Sequence, residues 1–411
     1  MQAEVISIGD ELTSGQRLDT NSQWLSQQLG AIGIPVLYHT TVADDLPANV
    51  RVFQQAAQRA EIVVASGGLG PTADDLTREA LAQASGRPLV LDEAALAHIR
   101  ALFSVRKRPM PESNRVQAMF PEGSRVLANP HGSAPGIAME IARPAGGAAH
   151  VFALPGVPAE MREMWQASVA PAIQALGGER RVIRFRRIKC FGVGESDLEQ
   201  MLPDLIRRGR EPQVGITVHD ATITLRIVAR GVDEAACQAL IEPTEQVIRQ
   251  SLGTLVFGEE DDELPQAVLK LLAQRKQTLA TCEWGTGGLL ADWLAAADPP
   301  GDRYLGGSII RSAASLLAMV VDDLSPDVAA VDLASAMANY CRRQFGADWG
   351  LAVGPFPGDS EDQPPLSVHL ALASSAGVKT ASTLFTGHPA ILRPRAGKQA
   401  LNLARLALIR P

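Results

Sequence analysis

The sequence predicts a multidomain α/β protein in which two α/β domains flank a small α+β domain. The chain has 411 residues, whereas a single domain usually holds about 100–200. Short apolar strands alternate with amphipathic helices in the first and last parts of the chain, which is typical of parallel sheets. A glycine pair, Gly177-Gly178, and an acidic run, residues 259–263, interrupt this alternation. They predict domains over residues 1–176, 177–257 and 258–411.

The first domain is predicted to hold a parallel sheet covered on both faces. Residues 4–8 (Glu-Val-Ile-Ser-Ile) are predicted to form a buried strand, and Asp19-Thr20-Asn21 supplies capping side chains for the helix that follows. Further strands are expected near residues 34–39 and 62–65, and a helix is expected to begin near Asp75. Parallel sheets of this kind bind ligands beyond the carboxyl ends of their strands.

The second and third domains have different patterns. Residues 182–256 predict a strand, a helix over 198–206, a hairpin around His219-Asp220 and a final helix, which together form an α+β module. From residue 264 onward, strands and helices alternate again. Residues 282–288 (Cys-Glu-Trp-Gly-Thr-Gly-Gly) predict a strand-to-helix turn, a shape that usually presents backbone or a small side chain to a ligand.

The composition is that of a soluble, cytoplasmic protein. Hydrophobic residues make up 46% of the chain and charged residues 20%, and the net charge of −7 argues against nucleic acid as the main partner. The four cysteines form no CxxC pair, which fits a reducing compartment and offers no zinc or disulfide framework. Neither a signal peptide nor an apolar run of ~18 residues is evident, so no membrane association is expected.

A glycine turn, residues 67–72 (Gly-Gly-Leu-Gly-Pro-Thr), follows the third strand. Glycine allows the backbone to turn tightly and to approach a ligand, and unpaired N–H groups at a helix start attract phosphate. Gly67, Gly68, Gly70 and Thr72 are therefore candidate phosphate-binding residues. A purely structural turn is the alternative explanation.

Carboxylates surround this turn in the predicted fold. Asp74 and Asp75 follow it directly, and Asp10 and Asp44 come at the ends of neighbouring strands. Phosphate and several carboxylates can share one site only if a cation lies between them, and oxygen ligands suit Mg²⁺ and similar hard ions. Asp10, Asp44 and Asp75 are the predicted metal ligands. Alternatively, Asp74 and Asp75 are ordinary helix-start residues.

Five ordered motifs over about 160 residues resemble those of the CinA-like (competence/damage-inducible protein A) family. They are Gly9-Asp10-Glu11-Leu12, Asp19-Thr20-Asn21, residues 66–80, residues 129–136 and residues 154–161. The resemblance implies a three-layer α/β first domain with the molybdopterin-binding fold, a KH-like second domain, and a third domain similar to nicotinamide mononucleotide deamidases. A homodimer is expected on this resemblance alone.

The resemblance also implies an activity, the metal-dependent hydrolysis of ADP-ribose to AMP and ribose 5-phosphate. The implied cofactor is a divalent ion, Co²⁺ or Mg²⁺, with K⁺ as a further candidate. Asp74, Asp75 and Glu160 are the candidate catalytic residues, although Glu160 could equally be a first-turn helix acid. The candidate ribose or base contacts are Asn114, Gln117, Gly132 and Ser133. Two alternatives stay open, a protein that binds a nucleotide or molybdopterin without catalysis and an oligomeric scaffold.

A basic segment, residues 180–189, opens the second domain. It could suggest nucleic-acid binding, but the GXXG loop with which KH domains clamp RNA is not placed here between helices. A charged strand face is the commoner explanation. Docking of the outer domains or a dimer contact is the expected role of this domain.

The third domain departs from the deamidase pattern at all three catalytic positions. Aligning its motifs places Trp284 on the nucleophilic serine, Arg311 on the tyrosine and Leu316 on the lysine. Indole is no nucleophile, arginine stays protonated, and leucine has no proton to transfer. Deamidase activity is therefore expected to be absent. Nearby, Cys282 is expected to be a buried structural residue, and Thr286 is expected to cap the next helix.

Overall fold

The computed structural model describes residues 1–143, 146–177, 182–207, 209–319, 329–356, 367–384 and 388–409. The chain divides into two compact units, one of residues 1–184 with 229–239, the other of residues 185–228 with 240–411. Gly178 of the predicted boundary and Arg180-Arg181 of the basic segment lie outside the described residues. The limits of the three predicted domains remain predictions.

The first unit is built on one six-stranded sheet with helices around it. The strands of this unit are β1 (Ala3–Ile8), β2 (Val36–Val42), β3 (Ile62–Ser66), β4 (Leu89–Leu91), β5 (Met119–Pro121), β6 (Arg125–Leu127), β7 (Gly136–Ala142) and β8 (Ala148–Leu154). The helices are α1 (Asp10–Thr13), α2 (Thr20–Ala31), α3 (Leu46–Arg59), α4 (Thr77–Ser85), α5 (Glu93–Val105), α6 (Pro158–Met164) and α7 (Ala170–Ala175). The sheet order is β2-β1-β3-β8-β7-β6. Strands β2, β1, β3 and β8 are parallel to one another, whereas β7 is antiparallel to both of its neighbours, β8 and β6.

The sheet has a hydrophobic core on each face, as the sequence predicts. Along β1, Val5 packs in the core formed with α2, α6 and α7, whereas Ile6 packs in the core formed with α3, α4 and α5. Along β3, Val64 packs in the same core as Val5, and Val63 packs in the same core as Ile6. Side chains that alternate between two apolar faces are the reason these strands are buried throughout and mostly apolar. The unit is therefore a three-layer α/β domain.

Three predicted boundaries differ from the structure. Strand β2 lies two or three residues later than expected, because its pairing with β1 runs on to the Ile8–Val42 pair. Helix α4 begins at Thr77 instead of near Asp75, because the Asp75 side chain is used by the preceding turn. The helix expected over 198–206 ends at Met201, because Pro203 disfavours a helical conformation in the residue before it.

The middle of the chain folds as a four-stranded sheet with two helices. Its elements are β9 (Val182–Cys190), α8 (Glu195–Met201), β10 (Gln213–His219), β11 (Thr222–Gly231), α9 (Glu234–Leu252) and β12 (Val256–Glu259). The sheet order is β10-β11-β9-β12. The predicted hairpin is present, and Asp220 and Ala221 make its turn with positive φ angles.

Ion pairs neutralise the basic residues of β9. The pairs are Arg184 with Glu234, Arg186 with Glu245 and Glu259, Arg187 with Glu260 and Asp261, and Lys189 with Glu263. The acidic run at 259–263 therefore supplies most of the partners for this strand. The phosphate backbone of a nucleic acid would have to displace these carboxylates to contact the basic side chains of β9. The ion pairs therefore favour the interpretation of this segment as a charged strand face.

The last part of the chain is a second α/β region within the second unit. Its strands are β13 (Leu279–Glu283), β14 (Tyr304–Ile309), β15 (Trp349–Val353), β16 (Ser367–Ser374) and β17 (Gly377–Leu384), in the order β14-β13-β15-β16-β17. Its helices are α10 (Leu264–Arg275), α11 (Leu289–Ala297), α12 (Ala313–Met319), α13 (Ala330–Gln344) and α14 (Pro389–Ile409). The predicted strand-to-helix turn connects β13 to α11. The four cysteines are free and buried. Within the described residues, no helix combines the length and apolar character needed to cross a bilayer.

Candidate functional site

A cleft of about 410 Å³ lies at the carboxyl ends of β1, β2, β3 and β8. Of the residues predicted from the sequence, it is lined by Asp44, Gly67, Gly68, Gly70, Asp74, Asp75, Gln117, Ser133 and Glu160. The remaining predicted site residues lie behind or beside the lining of the cleft: Asp10, Thr72, Asn114 and Gly132. Residues separated by more than 100 positions in the chain thus meet at one edge of the sheet, where ligands of parallel sheets bind.

The glycine turn forms one wall of the cleft. Gly67 follows β3 directly, and its N–H donates to the Leu154 carbonyl at the end of β8 (3.0 Å). Gly68 has φ +65°, and a Cβ atom on it would lie 2.3 Å from the Thr77 hydroxyl oxygen. Only glycine fits this position, because both the backbone angle and the close approach to α4 exclude a side chain.

The Asp75 carboxylate stabilises the glycine turn through hydrogen bonds to two of its residues. Its Oδ1 accepts from the Gly70 N–H (2.7 Å), and its Oδ2 accepts from the Thr72 N–H (2.9 Å) and the Thr72 hydroxyl. Both carboxylate oxygens are therefore used to hold the loop. The structure thus provides Asp75 with a structural role, and its predicted roles as metal ligand and catalytic residue remain predictions.

The Asp75→Ala variant is expected to destabilise the first unit by about 2 kcal/mol, because three donors lose a charged acceptor. Chemical denaturation followed by circular dichroism measures this loss. The control is Asp74→Ala, which removes the exposed neighbouring carboxylate and is expected to leave the midpoint unchanged. Equal midpoints for the two variants would contradict the structural role of Asp75.

Asp10 and Asp44 face each other across the ends of β1 and β2. The Asp10 N–H donates to Asp44 Oδ2, and the Asp44 N–H donates to Asp10 Oδ1, each at 3.0 Å. Partial burial raises the pKa of Asp44, and the nearby charges of Asp10, Asp74 and Glu11 raise it further, against the hydrogen bond from Asp10. Four carboxylates thus create a negative potential that a bound cation would relieve.

The donors fit a cation that is shared with a ligand better than one held by protein alone. Within the described part of the chain, no three His, Cys, Asp or Glu side chains are grouped closely enough to enclose a metal ion. Mg²⁺ is usually bound by one or two carboxylates together with water and substrate phosphates. Asp10 and Asp44 each keep one oxygen outside their mutual hydrogen bonds, which is the donor set this arrangement needs.

Glu160 reaches the cleft from the first turn of α6. Its Oε2 accepts a hydrogen bond from Asn129 Nδ2 (2.7 Å), and Asn129 Oδ1 accepts from the Gly132 N–H (2.9 Å). Asn129 therefore connects Glu160 to the 129–136 loop, which brings Ser133 to the cleft. Glu160 is a first-turn helix acid, as the alternative explanation states, and it also faces the cleft, as a catalytic role requires.

Asn114 and Gln117 support the floor of the cleft. Asn114 is buried, and its Nδ2 donates to Gln117 Oε1 (2.7 Å), while Gln117 Nε2 donates to the Leu69 carbonyl (3.3 Å). Gln117 lines the cleft, as a predicted substrate contact should. Asn114 lies one layer behind it and orients it.

Three further residues belong to the site and were not predicted as site residues. Glu11 and Arg17 line the cleft, and both also line a narrower recess next to it. In that recess, Asn21 Nδ2 donates to Ser66 Oγ (3.0 Å) and to the Gly156 carbonyl (2.9 Å). Glu11 and Asn21 fall in the motifs of the sequence resemblance, which was an available signal. No periodicity or spacing marks Arg17.

Buried Glu283 organises the turn at residues 284–288 in the second unit. Its carboxylate accepts from the Thr286 hydroxyl (2.5 Å) and from the N–H groups of Leu290 (3.1 Å) and Ala291 (2.9 Å). Thr286 was expected to cap α11, and this expectation is wrong. Glu283 provides the cap, because its longer side chain reaches the helix start from β13.

Trp284 lies at the predicted nucleophile position and is half-buried. Its indole packs against an apolar cluster that contains Cys282, Ile310 and fully buried Leu316. The next residue, Gly285, has φ +117°, and a Cβ atom there would lie 2.3 Å from the Phe356 ring. Aromatic and aliphatic side chains therefore pack against both Trp284 and Gly285 of this turn.

The two other residues that differ from the deamidase pattern, Arg311 and Leu316, have opposite environments. Leu316 belongs to the core, whereas Arg311 is exposed. Burial raises the pKa of the Cys282 thiol to about 12, so this cysteine is not a thiolate nucleophile at neutral pH. This agrees with its expected structural role.

Three family models match successive parts of the chain. They are described as "Probable molybdopterin binding domain" for residues 4–175, "Damage-inducible protein CinA KH domain" for residues 185–258 and "CinA C-terminal domain" for residues 261–408.

Whole-length relatives give the same assignment. The CinA-like protein of Thermomicrobium roseum is 38% identical, with 100% of this chain and 97% of the relative aligned. The CinA-like protein of Gloeobacter violaceus is 40% identical over 90% of this chain and 88% of the relative. A solved structure of a CinA protein with unknown function from Thermoplasma acidophilum is 34% identical, covers 42% of this chain and 98% of its own, and has a TM-score of 0.38. On the family models and the two CinA-like relatives, the chain belongs to the CinA-like family of competence-damage inducible proteins.

Proposed function

We propose that the first domain hydrolyses a nucleotide diphosphate such as ADP-ribose, with a divalent metal ion, to AMP and ribose 5-phosphate. The family models support a nucleotide- or molybdopterin-related role in binding or catalysis. One observation carries the finer proposal: the glycine turn and the carboxylates Asp10, Asp44 and Asp74 meet around one cleft. If the glycine turn binds a phosphate, this phosphate can share the cleft with several carboxylates only when a cation lies between them.

Each group of residues would have a separate task. The glycine turn would bind one phosphate, and Asp10 and Asp44 would hold the metal ion. When bound, such an ion neutralises the diphosphate and lowers the pKa of water. Glu160 would accept the proton of the attacking water at Oε1, because Asn129 occupies Oε2. The water oxygen forms a bond to one phosphorus, and the bond from that phosphorus to the bridging oxygen breaks. The bridging oxygen leaves on the other phosphate, so the two halves separate as AMP and ribose 5-phosphate.

The direct test is incubation of the full chain with ADP-ribose and Co²⁺ or Mg²⁺, with and without K⁺, followed by chromatography. Release of AMP and ribose 5-phosphate that stops with EDTA supports the proposal. Tight binding of a pterin with no AMP release would favour the alternative, a molybdopterin-binding protein, which the description of the first family model also suggests.

The third domain is proposed to be inactive as a deamidase. The chain is expected to release no ammonia from nicotinamide mononucleotide above the rate without protein, because Trp284, Arg311 and Leu316 supply neither nucleophile nor base. An enzyme-coupled ammonia assay measures this. Adding the mononucleotide to the ADP-ribose reaction serves as a control that the protein sample is active. Steady ammonia release would overturn this part of the proposal.

A further inference from the structure

Arg78 is a buried arginine directly beneath the glycine turn. It is the second residue of α4 and is 1% exposed. Its Nη2 donates to the Leu69 carbonyl (2.8 Å), and its Nη1 donates to the Gly70 carbonyl (3.3 Å). Its Nε is buried without a hydrogen-bond partner in the described part of the protein. A buried cation that is bound mainly to carbonyl groups is costly, so a stability role alone does not explain it.

Donors on α4 and the floor of the cleft bind every carbonyl of residues 67–70. The Gly67 carbonyl accepts from the Thr77 hydroxyl (2.8 Å), and the Gly68 carbonyl accepts from the Thr77 N–H (3.1 Å). The Leu69 carbonyl accepts from both Arg78 and Gln117. These four carbonyl groups therefore point toward α4 and the floor.

The orientation of the carbonyls fixes the orientation of the amides. In a planar trans peptide, the N–H points opposite to the C=O of the same peptide unit. The N–H groups of Gly68 and Leu69 share their peptide units with the Gly67 and Gly68 carbonyls, so they point away from Thr77, which holds both carbonyls. Neither N–H has a protein acceptor among the described residues. Both residues line the cleft, and successive free N–H groups in such a turn form an anion-binding nest.

The guanidinium keeps its charge at neutral pH. Burial lowers the pKa of Arg78 to about 10, and the Asp75 charge partly opposes this shift. Asp75 directs its oxygens to Gly70 and Thr72, so it compensates Arg78 only through space. A positive charge in a poorly solvated position then adds to the field of the two amides.

We propose that Arg78 is a positioning residue that fixes the Leu69–Gly70 half of the turn through two carbonyls and supports one phosphate of the ligand with its charge. Thr77 holds the other half, so that the Gly68 and Leu69 N–H groups are directed toward the same phosphate. This inference rests on the proposed phosphate site and extends it to a residue that does not touch the ligand. The fork of a guanidinium can hold two carbonyls at once, whereas an ammonium group on a lysine stem is a single point of charge.

The experiment uses the full chain, Mg²⁺ and inorganic pyrophosphate as the probe. Isothermal titration gives the Kd, and ¹⁵N-labelled protein reports the amide shifts of Gly68 and Leu69. In the unchanged chain, both amide resonances should move on titration. Arg78→Met should weaken pyrophosphate binding by about 10-fold, and Arg78→Lys should recover part of this loss. The matched control is Arg87→Met, because Arg87 also donates to a backbone carbonyl, that of Glu122, away from the cleft.

Two outcomes would overturn the inference. One is a folded Arg78→Met protein that binds pyrophosphate as tightly as the Arg87→Met control. The other is a titration of the unchanged chain in which the Gly68 and Leu69 amides do not respond, and this readout remains decisive if Arg78→Met does not fold. Pyrophosphate binding without ADP-ribose hydrolysis would leave the inference standing while the hydrolytic function fails. Hydrolysis of ADP-ribose with an unchanged KM in Arg78→Met would overturn the inference and leave the hydrolytic function standing.

Discussion

The Asp44→Asn variant is expected to lose metal-dependent hydrolysis of ADP-ribose by roughly 100-fold or more, since the metal supplies several kcal/mol of transition-state stabilisation. Asparagine keeps the hydrogen bond from the Asp10 N–H, because its side-chain oxygen can take the place of Oδ2. It removes the negative charge that the cation requires. The rate of AMP release at saturating Mg²⁺ or Co²⁺ measures the effect.

Loss of folding should not accompany this loss of activity. The raised pKa of Asp44 means that its charged form is disfavoured by burial and by Asp10, Asp74 and Glu11. A neutral residue removes that penalty, so the thermal midpoint of Asp44→Asn should equal or exceed that of the unchanged chain.

The neighbouring carboxylate offers a matched control. Asp45 caps α3 by accepting from the Ala48 N–H (2.8 Å), and it is not among the residues that line the cleft. Because asparagine is an equally good N-cap, Asp45→Asn removes a charge next to the site without changing the fold. Equal losses in the two variants would mean that net charge, and not a metal ligand at Asp44, determines the rate.

The Glu283→Ala variant is expected to destabilise the β13–α11 region by about 4 kcal/mol, because three buried donors lose their acceptor. The donors are the Thr286 hydroxyl and the N–H groups of Leu290 and Ala291. Hydrogen exchange of the α11 amides, read by mass spectrometry, reports this local stability. Exchange should become about 1,000-fold faster.

Two further variants separate capping from charge. Glu283→Gln keeps one acceptor oxygen and should lose less protection than Glu283→Ala. Asp292→Ala removes an exposed acid from the first turn of the same helix and should change protection only slightly. If Asp292→Ala reduced protection as much as Glu283→Ala, the negative charge near the start of α11 would explain the loss of protection, and the buried cap would not.

Parts of the fold were predictable because their signals are local. Apolar residues 4–8 and 62–65 form adjacent strands, and Asp19 caps the helix that was expected after it. The cleft was predictable to the same extent, because glycine turns and acids at strand ends converge at one edge of a parallel sheet. Element ends were less predictable, since the start of α4 depends on the side-chain contacts of Asp75.

The sequence by itself determined the fold class and the family, and it predicts that Trp284, Arg311 and Leu316 supply neither nucleophile nor base. These follow from periodicity, motif order and residue chemistry, which need no knowledge of distant neighbours. Only the tertiary structure decided which acids line the cleft, that Asp75 holds its own turn, that Arg78 lies beneath this turn, and that Glu283 caps α11. The physical reason is that a carboxylate or a guanidinium can serve several roles. Its role is fixed by the donors and acceptors that other parts of the chain bring within about 3 Å.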